Sequence, residues 1–182
     1  MVLPQTKMTL DEFLEWEAAN QERHEFYQGE VFAMVGALRT HARIVGNLYY
    51  ALRTQLAGRR CQPFSESSKV EVEARAVFYP DVFVTCDERD LKTDYLFRFP
   101  TLIGEVLSPS SERYDRGVKF AAYRKLETLK EYVLIHPDTR EVTVFRKNAA
   151  GHFELHEYSG NPSVALASVD CVIASDALFD GL

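Results

Sequence analysis

The stretch Leu102-Ile103-Gly104-Glu105-Val106-Leu107 has the composition of a strand buried on both faces, with Glu105 as its one polar residue. A second stretch, Tyr79-Pro80-Asp81-Val82-Phe83-Val84, places Asp81 among apolar residues in the same way. An ionised carboxylate is heavily penalised in such a position unless a cation or strong hydrogen-bond donors compensate it. The two strands therefore predict a compensated acidic site.

Two carboxylates on neighbouring strands repel each other unless they share a proton or a divalent ion. Ligands that offer only oxygen suit Mg²⁺ or Mn²⁺ rather than zinc. Asp81 and Glu105 are accordingly candidate metal ligands. The alternative is that each carboxylate is neutralised by its own Arg or Lys, or reaches water at a strand end.

Length and composition predict one domain over residues 1–182, with residues 1–20 as an N-terminal helical flank. With 182 residues, of which 46% are apolar, the chain can bury one sizeable core. No stretch has the length of a membrane span, and the first residues lack a signal-peptide pattern, so a cytoplasmic protein without membrane contact is expected.

The three cysteines, Cys61, Cys86 and Cys171, are odd in number and widely spaced. This spacing fits neither a disulfide framework nor a metal-binding Cys-x-x-Cys pair. Buried thiols in a reducing compartment are the simplest expectation.

The formal net charge of −6 argues against a protein that coats nucleic acid through a globally basic surface. A local basic cleft remains compatible with it, and so do ordinary solvated helix faces. The basic residues in question form two groups: Arg39, Arg43, Arg53, Arg59, Arg60 and Lys69, then Arg113, Arg116, Lys119, Arg124 and Lys125.

Local patterns predict an α/β fold with a mixed central sheet flanked by helices. Thr9 and Glu12 form a capping-box signal for a helix over 10–19, and Gln28-Gly29 separates two strands of a hairpin over 24–35. Thr40 is the expected cap of a helix that ends near Gly58. Strands are predicted at 61–65, 69–73, 77–86, 102–107, 132–135, 142–145 and 153–158, and a terminal helical turn at 175–182.

A further helix is predicted over 115–126, with Val118, Ala121, Ala122 and Leu126 facing the core. Asp115, Lys119 and Tyr123 follow each other at intervals of four and share one stripe beside that face. Because the helix begins shortly after the strand that carries Glu105, Lys119 is expected to reach the carboxylate pair. The alternative is a simple Asp115–Lys119 helix pair, worth about 0.2–0.5 kcal/mol.

These residues carry a resemblance to a known family. The sequence resembles the Uma family of restriction endonucleases, within the PD-(D/E)XK nuclease superfamily, from about Met8 to about Leu178. The matching segments are HEFYQGE, THARIVGNL, YPDVFVTC, GEVLSPSSERYDRGVKFAAYRKL and EYVLIHPD. The resemblance implies a restriction-endonuclease-like core, Asp81 and Glu105 as ligands of Mg²⁺ or Mn²⁺, and nucleic acid, DNA first, as substrate.

The sequence departs from the superfamily pattern at position 107, where Glu-x-Lys requires a lysine and this chain has Leu107. Lys119 on the following helix resembles a relocated substitute, and Lys69 is a second candidate. Catalytic roles are therefore expected for Asp81, Glu105 and Lys119.

Accessory roles are expected around this set. His41 falls on the inner face of its helix, where it either belongs to the core or contacts metal or phosphate. Glu25 and Glu30 are further acidic candidates, on opposite faces of the hairpin if the turn does not intervene. Asp115 and Tyr123 complete the accessory group through their stripe with Lys119.

The expected activity is hydrolysis of phosphodiester bonds by metal-activated water. Two rival functions remain open: a catalytically inactive nuclease-fold binding protein, and a phosphodiesterase that acts on small nucleotides. The sequence also leaves open whether two chains pair as a homodimer.

Overall fold

The computed structural model describes residues 7–34 and 36–182. Its helices are α1 (Leu10–Ala18), α2 (Arg39–Gln55), α3 (Glu112–Tyr114), α4 (Phe120–Tyr123) and α5 (Ser175–Leu178). Its strands are β1 (His24–Tyr27), β2 (Glu30–Ala33), β3 (Gln62–Ser65), β4 (Lys69–Val72), β5 (Ala76–Phe78), β6 (Val82–Thr85), β7 (Leu96–Phe97), β8 (Pro100–Val106), β9 (Glu131–His136), β10 (Glu141–Lys147), β11 (Phe153–Tyr158), β12 (Ser163–Leu166) and β13 (Cys171–Ala174). Within the described residues, no helix is long and apolar enough to cross a membrane.

The central sheet has six strands in the order β11-β10-β9-β8-β6-β3. It is mixed, because β8 and β9 run parallel while the other neighbours are antiparallel. A parallel pair needs a long crossover, and the helical run over 112–123 supplies it. That run joins α3 and α4 through a π-helical turn, Asp115–Lys119. The crossover thus brings Lys119 over the sheet next to β8.

Strand β8 is buried along its whole length and serves two cores. Leu102 and Val106 pack with Leu48 and the other inward residues of α2 on one face of the sheet. Ile103 and Leu107 pack with the helical run and with the five-stranded sheet on the other. Since side chains alternate along a strand, Glu105 points to the second face.

The second sheet has five strands in the order β2-β1-β5-β4-β7. Its strand β5 is followed directly by β6 of the central sheet, so the chain passes from one sheet to the other through Tyr79-Pro80-Asp81. Helix α1 covers this second sheet through Phe13, which stacks on Phe26. Asp81 therefore lies at the junction of the two sheets rather than inside a strand.

Most predicted elements are present with small changes of boundary. The capping box of Thr9 and Glu12 opens α1, and the hairpin turns at Gln28 and Gly29, both with positive φ. The hairpin's second strand ends at Ala33; the remainder of the prediction includes Val35, which lies outside the described residues. The helical run begins three residues before its predicted start.

Three local predictions were wrong, and one hairpin was missed. Thr40 is not the N-cap of α2, because the helix already begins at Arg39 after the extended residue Leu38. The strand predicted over 77–86 is broken where the chain changes sheets. Val118 and Ala121 are half-buried rather than in the core, since the π-helical turn shifts the inner face onto Lys119 and Tyr123. The hairpin β12–β13 was not predicted at all.

The prediction of three free thiols is also wrong. Cys61 and Cys86 form a disulfide, and Cys171 is a buried free cysteine. Gln62 of β3 pairs with Thr85 of β6, so the next residue outward on each strand, Cys61 and Cys86, are brought face to face. The pairing depends on strand register, which a separation of 25 residues does not reveal.

Gly104 provides a test of how tightly α2 packs on β8. A Cβ at this position would lie 3.2 Å from Cδ2 of Leu48, whereas a Cβ at Gly46, on the outer face of α2, would meet no atom within 4 Å. We expect Gly104→Ala to lower the free energy of unfolding by about 1–3 kcal/mol through overpacking. The matched change Gly46→Ala should raise it by about 0.5–1 kcal/mol, because alanine favours the helix. Urea denaturation measures both, and equal stability of Gly104→Ala and the parent would contradict close packing at this point.

Candidate functional site

Asp81 and Glu105 are held together by a reciprocal pair of hydrogen bonds. The backbone N–H of Asp81 donates to Oε2 of Glu105 at 3.1 Å, and the backbone N–H of Val106 donates to Oδ2 of Asp81 at 2.7 Å. Glu105 is 2% exposed, whereas the Asp81 side chain is 15% exposed. The pair thus has one buried member and one that faces an opening.

Lys119 reaches this pair from the π-helical turn. Its Nζ lies 3.2 Å from Oε1 of Glu105, 3.0 Å from Oε1 of Glu25 and 3.5 Å from Oδ1 of Asp115. The helix pair with Asp115 and the contact with the strand carboxylate, which the sequence offered as alternatives, are both present. The Asp115 contact is the longest of the three.

The cluster contains more acid than base, and its pKa values reflect this. Burial raises the pKa of Glu105 well above its usual range, against the attraction of Lys119 and with the repulsion of Asp81. Burial also raises the pKa of Asp115. Burial alone would lower the pKa of Lys119, but the surrounding carboxylates raise it well above its usual value. The carboxyl groups that surround Lys119 outnumber the basic groups of the cluster.

His41, in the first turn of α2, is the partner of Asp81. Its Nε2 lies 3.1 Å from Oδ2 of Asp81, and the side chain is 14% exposed. Although burial lowers the pKa of His41, the hydrogen bond to Asp81 and its charge produce a net rise. Its Nδ1 is buried and has no hydrogen-bond partner among the described residues. His41 thus orients Asp81 and has one ring nitrogen to spare.

Glu25 belongs to the cluster and Glu30 does not. Oε1 of Glu25 accepts the backbone N–H of Tyr79 at 3.2 Å in addition to its contact with Lys119. Because the two-residue turn pairs Tyr27 with Glu30, the two glutamates share one face of the hairpin. Glu30 nevertheless lies at the exposed tip.

The remaining candidates differ in position. Lys69 is half-buried on β4, with Nζ 6.0 Å from the ring centre of Tyr79, and within the described residues it forms no ion pair. Tyr123 is fully buried next to the cluster, and its hydroxyl has no partner among the described residues. Of the two lysines, only Lys119 contacts the carboxylates.

A buried network behind the site was not predicted. Glu17 of α1 accepts the hydroxyl of Tyr79 at 2.8 Å and the backbone N–H of His24 at 3.0 Å, and it also contacts the His24 ring. Tyr79 and His24 flank Asp81 and Glu25 in the chain, so the network fixes the backbone on both sides of the cluster. The sequence contains one signal for this network: Glu17 follows the buried Phe13 by four residues and so lies on the same face of α1.

The donor set of the site suits a hard divalent cation. It consists of carboxylate oxygens in a region of surplus negative charge, which are the ligands that Mg²⁺ and Mn²⁺ prefer. The hydrogen bonds and ion pairs of the described residues end on Oδ2 of Asp81 and leave its Oδ1 unused. No set of three or more His, Cys, Asp or Glu side chains in the described part of the chain is close enough to hold a metal ion. Asp81 and Glu105 would therefore hold an ion together with water.

Comparison with known proteins identifies relatives along almost the whole chain. The model of the Uma2 family, described as "Putative restriction endonuclease", matches residues 10–172. An uncharacterized protein of Synechocystis is 34% identical over 180 residues, covering 98% of this chain and 95% of the relative. A second uncharacterized Synechocystis protein is 33% identical over 164 residues, covering 88% of this chain and 93% of the relative.

A solved structure shares the fold. The crystal structure of a "putative nuclease" of DUF820 from Anabaena variabilis superposes with a TM-score of 0.79 and 20% identity, covering 94% of this chain and 97% of the other. The predicted restriction-endonuclease-like α/β fold, with mixed sheet and flanking helices, is confirmed.

The surplus of negative charge has a measurable consequence for stability without metal. We expect Glu105→Gln to raise the melting temperature by about 2–4 °C, because removing one buried charge relieves repulsion and desolvation worth about 1 kcal/mol. Differential scanning calorimetry in a chelating buffer measures the shift. Glu30→Gln, on the exposed tip of the same hairpin, is the matched control and should leave the melting temperature unchanged. A lower melting temperature for Glu105→Gln would mean that the Lys119 ion pair outweighs the repulsion.

Proposed function

This chain belongs to the Uma2 family, and on that basis we propose that it is a divalent-metal-dependent endonuclease that hydrolyses phosphodiester bonds in nucleic acid, DNA first. The names of the family and of the Anabaena neighbour support a nuclease. The metal dependence is inferred from the geometry of the site.

The observation that carries this proposal is the locked pair of Asp81 and Glu105. Because Glu105 accepts the backbone N–H of Asp81 and Asp81 accepts the backbone N–H of Val106, the two carboxylates are fixed in position before any ligand arrives. Such preorganisation is what a catalytic metal site requires. A bound Mg²⁺ or Mn²⁺ would polarise a phosphoryl oxygen and lower the pKa of a coordinated water.

The neighbouring residues support the pair in distinct ways. His41 orients Asp81 from outside, as partners of metal-binding carboxylates commonly do. Glu25 ties the backbone of Tyr79 to Lys119, and so limits movement of the segment that leads to Asp81. Lys119 offsets part of the negative charge that would otherwise keep the carboxylates apart.

A basic cleft lies on the helix that carries His41. Arg39, Arg43 and Asn47 line it, with a volume of about 480 Å³. In the described part of the chain, neither arginine forms an ion pair with a carboxylate. Guanidinium groups without an ion pair are suited to phosphate oxygens of a polynucleotide. Arg39 and Arg43 are each two residues from His41, so they lie on the side of α2 that faces away from that ring.

One observation favours a second candidate, a nuclease-fold protein that binds nucleic acid without cutting it. The ammonium of Lys119 has three protons and three carboxylate neighbours, so no donor remains for a substrate or a water. In this case nucleic acid would bind but remain intact in the presence of Mg²⁺.

Loss of Asp81 should separate these functions. We expect calorimetry to show Mn²⁺ binding in the parent and its loss in Asp81→Asn, together with a fall in DNA cleavage of at least about 10–100-fold. Asp94→Asn, at an exposed position, is the matched control and should behave as the parent.

The cleavage assay should test duplex DNA, single-stranded RNA and a small phosphodiester as substrates. Each should be tested with Mg²⁺ and with Mn²⁺. Unchanged Mn²⁺ affinity in Asp81→Asn would exclude the metal site. Binding of nucleic acid without cleavage would favour the inactive rival, and cleavage of the small ester alone would favour a phosphodiesterase.

The basic cleft makes a separate prediction about salt. We expect the double change Arg39→Ala with Arg43→Ala to weaken DNA binding and to reduce the slope of log affinity against log salt by about 1.8, since each lost phosphate contact accounts for about 0.9. Fluorescence anisotropy with a labelled duplex at several salt concentrations measures this slope. Arg124→Ala, also exposed, is the control, and an unchanged slope in the double variant would place the nucleic acid elsewhere.

A further inference from the structure

An exposed apolar loop connects β2 to α2. From Ala33 to Leu38 the sequence contains no polar or charged side chain. Met34 is 37% exposed and Leu38 is 65% exposed, and Gly36 and Ala37 are exposed as well. Leu38 is the most exposed large aliphatic side chain of the described residues. We call Met34, Gly36, Ala37 and Leu38 the apolar loop. A run of exposed apolar residues is unfavourable in water and is expected where it binds a partner.

The start of the apolar loop lies beside the acidic cluster. The loop follows β2, in which Phe32 pairs with Glu25 of the cluster. The ring centre of Phe32 is 5.9 Å from that of Tyr114, next to the π-helical turn. The N–H of Met34 donates to the backbone carbonyl of Arg23 at 3.0 Å, which fixes the first residue of the loop to the hairpin.

The end of the apolar loop lies beside the same site. Leu38 is the N-cap of α2 and precedes His41 by three residues. Residues three apart lie on the same side of a helix, so Leu38 is on the side of α2 where His41 contacts Asp81. The apolar loop therefore borders the candidate site at both of its ends.

Leu38 is an unfavourable residue for its position. An N-cap is normally Ser, Thr, Asp or Asn, whose side chain accepts an N–H of the first turn, and Leu is among the least favoured residues there. Leu38 makes no such bond, and Thr40 already lies inside the helix. Packing does not explain Leu38 either, because most of its side chain is exposed. A residue that neither caps nor packs is expected to act outside the fold.

We propose that the apolar loop is a wedge that inserts Leu38 between neighbouring bases of the nucleic acid at the candidate site. The protein then selects a duplex that contains an unpaired or weakly stacked position. Insertion of an apolar side chain separates stacked bases and bends the duplex, and the cost is lowest where a base is already unpaired. This inference rests on the proposed function and deepens it, because it names the form of the substrate.

The charges beside the apolar loop fit the same partner. Arg39 follows Leu38 directly, and the backbone of Arg23 holds the start of the loop; both arginines are exposed. Within the described residues neither guanidinium forms an ion pair, and each donates only to a backbone carbonyl, that of Glu66 at 3.1 Å and that of Gly181 at 3.4 Å respectively. An apolar side chain with basic groups on both sides matches a polynucleotide, in which phosphates flank every base step.

The test compares two duplexes that differ by one unpaired adenine, with 2-aminopurine as the neighbouring base. Ca²⁺, which takes the same oxygen ligands as Mg²⁺, occupies the buffer during binding. We expect fluorescence anisotropy to show that the parent binds the bulged duplex about 10-fold more tightly than the paired one, because the unstacking cost is lower. Binding should also raise the 2-aminopurine fluorescence, since this base is brighter when unstacked.

Leu38→Ser removes the wedge and supplies a favourable N-cap. We expect it to weaken binding of the bulged duplex by about 10–100-fold, the loss expected for one leucine contact, and to abolish the preference and the fluorescence rise. Its melting temperature should rise by about 2–4 °C, so that weaker binding cannot result from unfolding. Leu38→Met keeps an apolar side chain and should retain the preference. Leu155→Ser, at an exposed leucine of the edge strand β11, is the matched control and should bind as the parent does.

The outcomes separate the wedge from the proposed nuclease. If Leu38→Ser binds both duplexes as the parent does, and both proteins cleave DNA with Mg²⁺, the wedge is overturned and the nuclease stands. A parent that binds and unstacks the bulged duplex but cuts nothing supports the wedge and overturns the nuclease. A parent that binds no nucleic acid overturns both.

Two other partners of the apolar loop are tested with the same variant. Binding to vesicles of anionic lipid is measured by sedimentation, and self-association by analytical ultracentrifugation. If Leu38→Ser loses either of these and keeps the nucleic-acid preference of the parent, the loop serves a membrane surface or a second copy of the chain, and the wedge is overturned.

Discussion

The structure depends on how it compensates a surplus of buried negative charge at the junction of its two larger sheets. Glu25, Asp81, Glu105 and Asp115 meet there with the ammonium of Lys119 and the imidazole of His41. A buried carboxylate is tolerated only where donors and cations surround it. Only Asp115 and Lys119 share a segment, so the charges can be compensated only when hairpin, central strand, helical run and α2 are all in place. The same interactions that would bind a metal thus also specify the tertiary structure.

Rigidity on the far side of the sheet matters as much as charge. Gly104, next to Glu105, allows Leu48 of α2 to approach the strand closely. Glu105 is therefore carried by a strand that is packed on both faces, and it has little freedom to retreat from its neighbours. On the other side of the cluster, Glu17 holds Tyr79 in a similar way. The packing on both sides of the cluster restricts movement of the backbone that carries the carboxylates, and so keeps them close despite their repulsion.

Local sequence was sufficient for parts of the site that depend on periodicity. Glu105 stood out as an acid in an apolar strand, and the four-residue spacing of Asp115, Lys119 and Tyr123 placed all three on one stripe beside the expected apolar face. In the structure all three are buried. The sequence did not show that Glu25 rather than Glu30 joins the cluster. Both lie on the same face, but Glu25 is on β1, which pairs with β5, whereas Glu30 is on β2, the edge strand of that sheet. The Cys61–Cys86 pair depended in the same way on register between distant strands. The sequence did not reveal which distant strands pair and in which register, because local patterns carry no information on such contacts.

Pro80 prevents β5 and β6 from forming one continuous strand. Residues 76–85 are apolar enough to form one uninterrupted strand, and such a strand would have to extend a single sheet. Proline has no amide hydrogen to contribute to a ladder, and it restricts the residue before it to extended conformations. The chain therefore stops pairing in one sheet at Phe78 and resumes in the other at Val82. Within that interval the N–H of Asp81 is released from any strand partner, and it is this donor that Glu105 accepts. Pro80 has no polar side chain, yet because it interrupts the strand, the backbone N–H of Asp81 donates to Glu105 instead of to a neighbouring strand.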